Sequence, residues 1–89
     1  MPHLVFTQQL RRFTDVPEVD SAALILRAAL DDAFARNPLL RGYILDDQAH
    51  LRPNVVIFID GQRIHSSQRL DDALQPDSQV YILQALSGG

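Results

Sequence analysis

Val55-Val56-Ile57-Phe58-Ile59-Asp60-Gly61-Gln62-Arg63-Ile64-His65 is the stretch around which the rest of the chain is organised. Five β-branched or aromatic residues in a row predict a strand over 55–59. Asp60-Gly61 is the two-residue signature of a type I′ turn, because both central positions need positive φ, and Gln62–His65 is the return strand. Strand side chains alternate between faces, so if Val55, Ile57 and Ile59 point to one side, Val56 and Phe58 point to the other. Both sides are apolar.

Downstream, Ser66–Ser78 reads as a loop with a helical turn over Leu70–Leu74. Val80-Tyr81-Ile82-Leu83 is a final strand, and its alternation sets Tyr81 and Leu83 opposite Val80 and Ile82. Upstream, residues 39–52 read as an irregular connection tied down by Leu39, Leu40, Tyr43, Ile44 and Leu45, with an exposed turn at Asp46–Ala49. From Ser21 to Arg36, apolar residues recur at spacings of three and four (Ala22, Leu26, Ala29, Leu30, Ala33, Phe34), the pattern of a helix with one buried face. Asp20 or Ser21 is the expected N-cap, and Asn37-Pro38 ends the helix because a residue before proline is driven out of the α region. Leu4-Val5-Phe6 predicts an opening strand. The second strand falls at Leu10–Thr14 or at Glu18–Asp20; the later segment is preferred, and Pro17 makes it a short edge strand. Strand, strand, long helix, hairpin, loop and last strand give an α+β roll, one main helix packed on a mixed sheet of four to five strands.

The chain has 89 residues, which accommodates one domain (1–89) with a thin core. Its net charge is −3, and all its basic side chains are arginine, since no lysine occurs. A nucleic-acid binder carries the opposite balance. Without cysteine there is no disulfide, thiolate metal site or Cys nucleophile. The apolar runs are too short to cross a bilayer and no signal segment opens the chain, so no membrane partner and a cytoplasmic location are expected.

Conventional catalysis finds little support. The pairs Asp31-Asp32, Asp46-Asp47 and Asp71-Asp72 read as a wet helix face and as turn residues, because helical neighbours one apart do not face each other. His3, His50 and His65 lack metal-ligand spacing, and neither Ser66-Ser67 nor the isolated Gly42 and Gly61 form a nucleophile elbow or phosphate loop. No catalytic residue, metal or bound cofactor is therefore assigned. The remaining feature is Leu86-Ser87-Gly88-Gly89. Taken alone, a Gly-Gly end is also what a frayed terminus looks like. Yet residues without Cβ enter narrow slots, and four extended residues from Leu86 reach about 13–14 Å. A carboxylate there, with an ordinary pKa of about 3.3–3.7, is a poor electrophile at neutral pH, so acyl chemistry requires outside activation, for example by ATP.

In these features the chain resembles the ubiquitin-like sulfur-carrier family, which includes the small subunit of molybdopterin synthase and the sulfur carrier of thiamine biosynthesis. The resemblance is carried by 51–61, by Leu70-Asp71-Asp72-Ala73-Leu74, and by Val80 through Gly89. It implies a β-grasp fold and a flexible tail over 86–89. It further implies that the Gly89 carboxylate is adenylated by a ubiquitin-activating-type enzyme and converted to a thiocarboxylate. ATP and a sulfur donor would be used by that partner, and the sulfur would pass to an acceptor biosynthetic enzyme serving a cofactor, cysteine or another sulfur metabolite. Gly89 would be modified, while Gly88, Ser87 and Leu86 give access. The family often has Pro where Gln84 stands, Ala where Ser87 stands, and Asp-Gly-Asp where Pro76-Asp77-Ser78 stands; Asp77 tolerates the left-handed conformation, which would preserve that turn.

A single helix covers one face of the sheet, leaving Val56, Phe58, Tyr81 and Leu83 as a candidate partner-binding patch beside the tail. Alternatively, residues 39–52 or a second copy cover it. The competing functions are a protein modifier joined through Gly89 to lysines of targets, and an interaction module without tail chemistry.

Overall fold

The computed structural model describes residues 1–6 and 18–84. Five strands form one mixed sheet: β1 (His3–Phe6), β2 (Glu18–Asp20), β3 (Val55–Ile59), β4 (Gln62–Arg63) and β5 (Gln79–Gln84). Their order across the sheet is β2-β1-β5-β3-β4. β1 and β5 are parallel, with His3 beside Gln79 and Phe6 beside Ile82, and every other pair is antiparallel. The described residues also form helix α1 (Leu26–Arg36) and a short helix α2 (Leu39–Ile44). This is the expected α+β β-grasp roll.

Alternation decides which side of the sheet is covered. Leu4 and Phe6 of β1, Val55 and Ile57 of β3, and Val80 and Ile82 of β5 are buried with Leu26, Ala29, Leu30, Ala33 and Phe34 of α1. These α1 residues recur at three and four, the stripe that a helix must present to bury one face. Asp60 (φ 51°) and Gly61 (φ 85°) take the left-handed conformations that the Asp-Gly turn requires. The Asp60 carboxylate then accepts the Gln79 amide (2.8 Å) and the Ser78 hydroxyl (3.0 Å), fastening the hairpin to the start of β5.

Four sequence expectations are corrected. The helix begins at Leu26 rather than Ser21, and neither Asp20 nor Ser21 caps it. Its first amides, Leu26 and Arg27, instead donate to the carbonyls of Asp72 and Leu70 (2.9 and 2.8 Å), and Ile25 bridges Ala73. A strand-like segment at 70–74 thus does what a side-chain cap would do, and Ala22 is left exposed. For the same reason 70–74 is not a helical turn: its backbone groups point at 24–27, and the turn lies at 67–69. Residues 39–52 are more ordered than expected, since Leu40 and Ile44 share one face of α2 and are fully buried. The return strand is also shorter than 62–65, ending at Arg63.

The turn at Gln75–Ser78 forms with no left-handed residue, closed by the Ser78 amide on the Gln75 carbonyl (3.1 Å). Arg27 ties the far side of α1 down: its guanidinium donates to the carbonyls of Gln68 (2.8 Å), Arg69 (3.1 Å) and Ala49 (3.3 Å). The second strand lies at Glu18–Asp20, the preferred position; the alternative at Leu10–Thr14 falls outside the described residues.

Candidate functional site

β5 is the middle strand of the sheet, and Gln84 is its last residue, paired with Val55 of β3. The chain that follows, including Leu86, Ser87, Gly88 and Gly89, lies outside the described residues. Its base is held by the β3 ladder at Gln84, and β1 flanks the same strand as far as Ile82.

Register brings the four predicted face residues together. Val56 stands opposite Leu83 and Phe58 opposite Tyr81, on the side of the sheet away from α1. Cross-strand neighbours of this kind have Cβ atoms about 4.5–5.5 Å apart, so the four side chains form one continuous apolar surface. Tyr81 is 43% and Leu83 38% exposed, while Val56 and Phe58 are half-buried. Residues 39–52 do not cover them: Leu40, Ile44, Leu45 and Leu51 of that segment belong to the core on the other side.

The two rims of the face carry different chemistry. At the β2 rim, His3 Nδ1 lies 2.7 Å from Asp20 and Nε2 2.6 Å from Glu18. A ring that donates from both nitrogens is an imidazolium. The hydrogen bond to Asp20, followed by that to Glu18, holds the His3 pKa above its ordinary value. At the β4 rim, Arg63 stands opposite Phe58, exposed, with no hydrogen-bond or ion-pair partner for its guanidinium among the described residues. Neither feature was legible in the sequence, because both depend on which residues face each other across strands.

The carboxylate pairs have structural occupations. Asp32 accepts the Ser21 hydroxyl (2.5 Å), and Asp72 accepts the amide (3.3 Å) and ring Nδ1 (2.8 Å) of His65. Asp46 closes its turn by accepting the amides of Gln48 (2.9 Å) and His50 (3.0 Å). The His50 amide is the main reason the Asp46 carboxyl sits below the ordinary carboxylate range. An open groove of about 500 Å³ includes Asp60, Arg63, His65 and Asp72 in its lining, but Asp60 and Asp72 both serve neighbouring backbone amides. Among the described residues no group of three His, Cys, Asp or Glu side chains could hold a metal ion. No described helix is long and apolar enough to cross a membrane.

Comparison with known proteins agrees with this architecture. The model of the ThiS family matches residues 4–89, and the chain belongs to that family of ubiquitin-like sulfur carriers. Among solved structures, CysO in the Amycolatopsis orientalis BexX/CysO complex matches with a TM-score of 0.84 and 15% identity, covering 100% of both chains. Mycobacterium tuberculosis CysO matches with a TM-score of 0.82 and 21% identity, over 97% of this chain and 100% of that one. Haloferax volcanii SAMP1 matches with a TM-score of 0.81 and 16% identity, over 99% and 98%. At these identities the structural matches establish the fold alone. No curated protein matches the sequence.

Proposed function

We propose that the protein is a sulfur carrier that works through a thiocarboxylate on Gly89. The observation that carries this reading is the family match, which runs through residue 89 and so includes Gly88-Gly89; strand β5, which precedes them, carries part of an exposed apolar face.

The chemistry is driven by a partner. A ubiquitin-activating-type enzyme directs the Gly89 carboxylate onto the α-phosphorus of ATP, forming an acyl adenylate and releasing pyrophosphate. Sulfide (HS⁻) supplied by a donor then attacks the acyl carbon; the C–S bond forms, the C–O bond to AMP breaks, AMP leaves, and loss of the remaining S–H proton to solvent gives the thiocarboxylate. That sulfur attacks an acceptor held by a biosynthetic enzyme, in a route to a cofactor, cysteine or another sulfur metabolite. The chain itself contributes positioning. Val56, Phe58, Tyr81 and Leu83 dock the partner, while Leu86, Ser87, Gly88 and Gly89 supply a slim extension into its active site. No cofactor is bound by the chain, and it acts as co-substrate rather than enzyme. Association of a β-grasp neighbour with BexX in a crystal supports docking of this kind.

A second reading is favoured by the likeness to SAMP1, whose Methanosarcina acetivorans form is named a small archaeal modifier protein: the activated Gly89 is joined to lysines of target proteins. One experiment separates the two. Removal of Gly89 abolishes ATP-dependent sulfur loading and leaves the thermal melt unchanged. Gly89-dependent high-mass conjugates in cell extracts, without sulfur loading, select the modifier instead.

A further inference from the structure

The carrier reading creates a chemical hazard that this chain meets in an unusual way. An acyl adenylate or thioester on Gly89 reacts with any amine or thiol within reach. Nucleophiles on the carrier's own surface are among those it can meet. Among all 89 residues there is no lysine and no cysteine. The basic side chains are all arginine, whose guanidinium stays protonated at every physiological pH and is no nucleophile.

Structure explains only part of this choice. Arg27 grips three carbonyls at once through its planar guanidinium, which an ammonium does not reproduce, and Arg52 Nε donates to the Gly42 carbonyl (2.8 Å). Arg36, Arg41, Arg63 and Arg69 are exposed, and their guanidiniums have no hydrogen-bond or ion-pair partner among the described residues. A lysine would solubilise those positions equally well, yet none is present.

Topology deals with the remaining amine. The α-amino group at Met1 precedes β1, and β1 runs parallel to β5, so Met1 sits at the end of the sheet from which β5 starts, away from the end where the tail leaves. The Pro2 carbonyl accepts the Ser21 amide (2.9 Å), which extends the ladder one step beyond His3. Pro2 is thus level with Ser78, six strand residues, or about 20 Å, from Gln84. Residues 85–89 span at most about 18 Å when fully stretched. The tail falls short even if it doubles straight back along the sheet.

We infer that the chain is built to be inert toward its own activated C-terminus: it offers no side-chain amine or thiol, and the parallel β1/β5 pairing holds its α-amino group beyond the reach of Gly89. Activated acyl groups are thereby reserved for the partner's sulfur donor. This rests on the carrier reading, and it also restricts the modifier reading, because copies of this chain cannot be joined to one another through lysine.

The test installs the activated group chemically, so that its outcome does not depend on any activating enzyme. The full chain is prepared as a Gly89 α-thioester of a small thiol, by intein cleavage, and incubated at pH 8.5 at two dilute concentrations with intact-mass readout. Asn54→Lys and Gln84→Lys variants, both confirmed folded by thermal melt, place an amine at the base of the tail, since Asn54 adjoins Val55, the partner of Gln84. In each, the lysine Nζ attacks the Gly89 carbonyl carbon, the C–N bond forms, the C–S bond breaks, and the thiolate leaves and takes up the proton. The expected result is a cyclic amide in at least one variant, formed at a rate independent of protein concentration and at least 10-fold faster than any amide in the wild type. The wild type yields only unreacted thioester and hydrolysed acid. A Met1–Gly89 cyclic amide in the wild type, or no amide in either lysine variant, overturns the inference. Neither of those results bears on whether cells load sulfur on Gly89, which is read separately from the mass of the native protein.

Discussion

Two neighbouring positions on β5 should lose very different amounts of stability to the same truncation. Ile82 is fully buried and flanked on both sides, by Phe6 of β1 and Ile57 of β3. Truncating an isoleucine in such a place costs about 2–5 kcal/mol, since the lost burial is compounded by a cavity that a central strand is poorly able to collapse. We take ~3 kcal/mol for Ile82→Ala. At about 4–8 °C per kcal/mol for a domain of this size, the melting temperature falls by ~12–24 °C. Leu83, the next residue, is 38% exposed on the opposite face. Full burial of a leucine is worth about 1.5–3 kcal/mol, so partial burial without a cavity leaves Leu83→Ala at ~1 kcal/mol, or ~4–8 °C. Thermal melts followed by circular dichroism measure both. A charged replacement, Leu83→Asp, should also leave the protein folded while slowing sulfur loading by the activating enzyme at least 10-fold. Equal destabilisation by Ile82→Ala and Leu83→Ala would refute the reasoning, because it would mean that the outer face is covered in the free protein.

Further perturbations probe other parts of the account. His3, paired with Asp20 and Glu18, has a raised pKa; its contribution is therefore complete below the unfolded value of about 6.5 and is lost as pH rises through the higher folded value. The stability difference between wild type and His3→Gln, followed by denaturant titration from pH 5 to 9, should shrink toward the alkaline end; a difference that grows there contradicts the pairing. Gly61 holds φ at 85°, so Gly61→Ala should cost about 1–2 kcal/mol through strain alone. Ala49, at φ 62°, should show the reverse, with Ala49→Gly stabilising by about 0.5–1 kcal/mol in the same assay. Arg27→Lys should destabilise by about 1–2 kcal/mol despite keeping the charge, because an ammonium does not span the carbonyls of Gln68, Arg69 and Ala49.

What the sequence disclosed depended on how local the controlling physics was. The Asp60-Gly61 hairpin and the face alternation of 55–59 and 80–83 follow from a two-residue turn and a period of two, so they were legible directly. The start of α1 was not, because Leu26 and Arg27 are capped by carbonyls at Asp72 and Leu70 more than forty positions away. Nor was the non-helical path of 70–74, which owes its shape to the same contacts. Helix α2 was masked by its brevity: six residues carry too short a pattern to be told from a loop that happens to be apolar. At the site, the four face residues could be named from alternation, but that Val56 meets Leu83 and Phe58 meets Tyr81 is a fact of register. The His3 clamp and the placing of Arg63 at the two rims share that origin.

The central claim is most directly tested by the intact mass of the protein after incubation with ATP, a sulfur donor and the activating enzyme of its own host. The account predicts a gain equal to the replacement of one oxygen by sulfur, mapped by fragmentation to Gly89 and absent when Gly89 is deleted. An unchanged mass, with an enzyme shown to form the Gly89 adenylate, contradicts it.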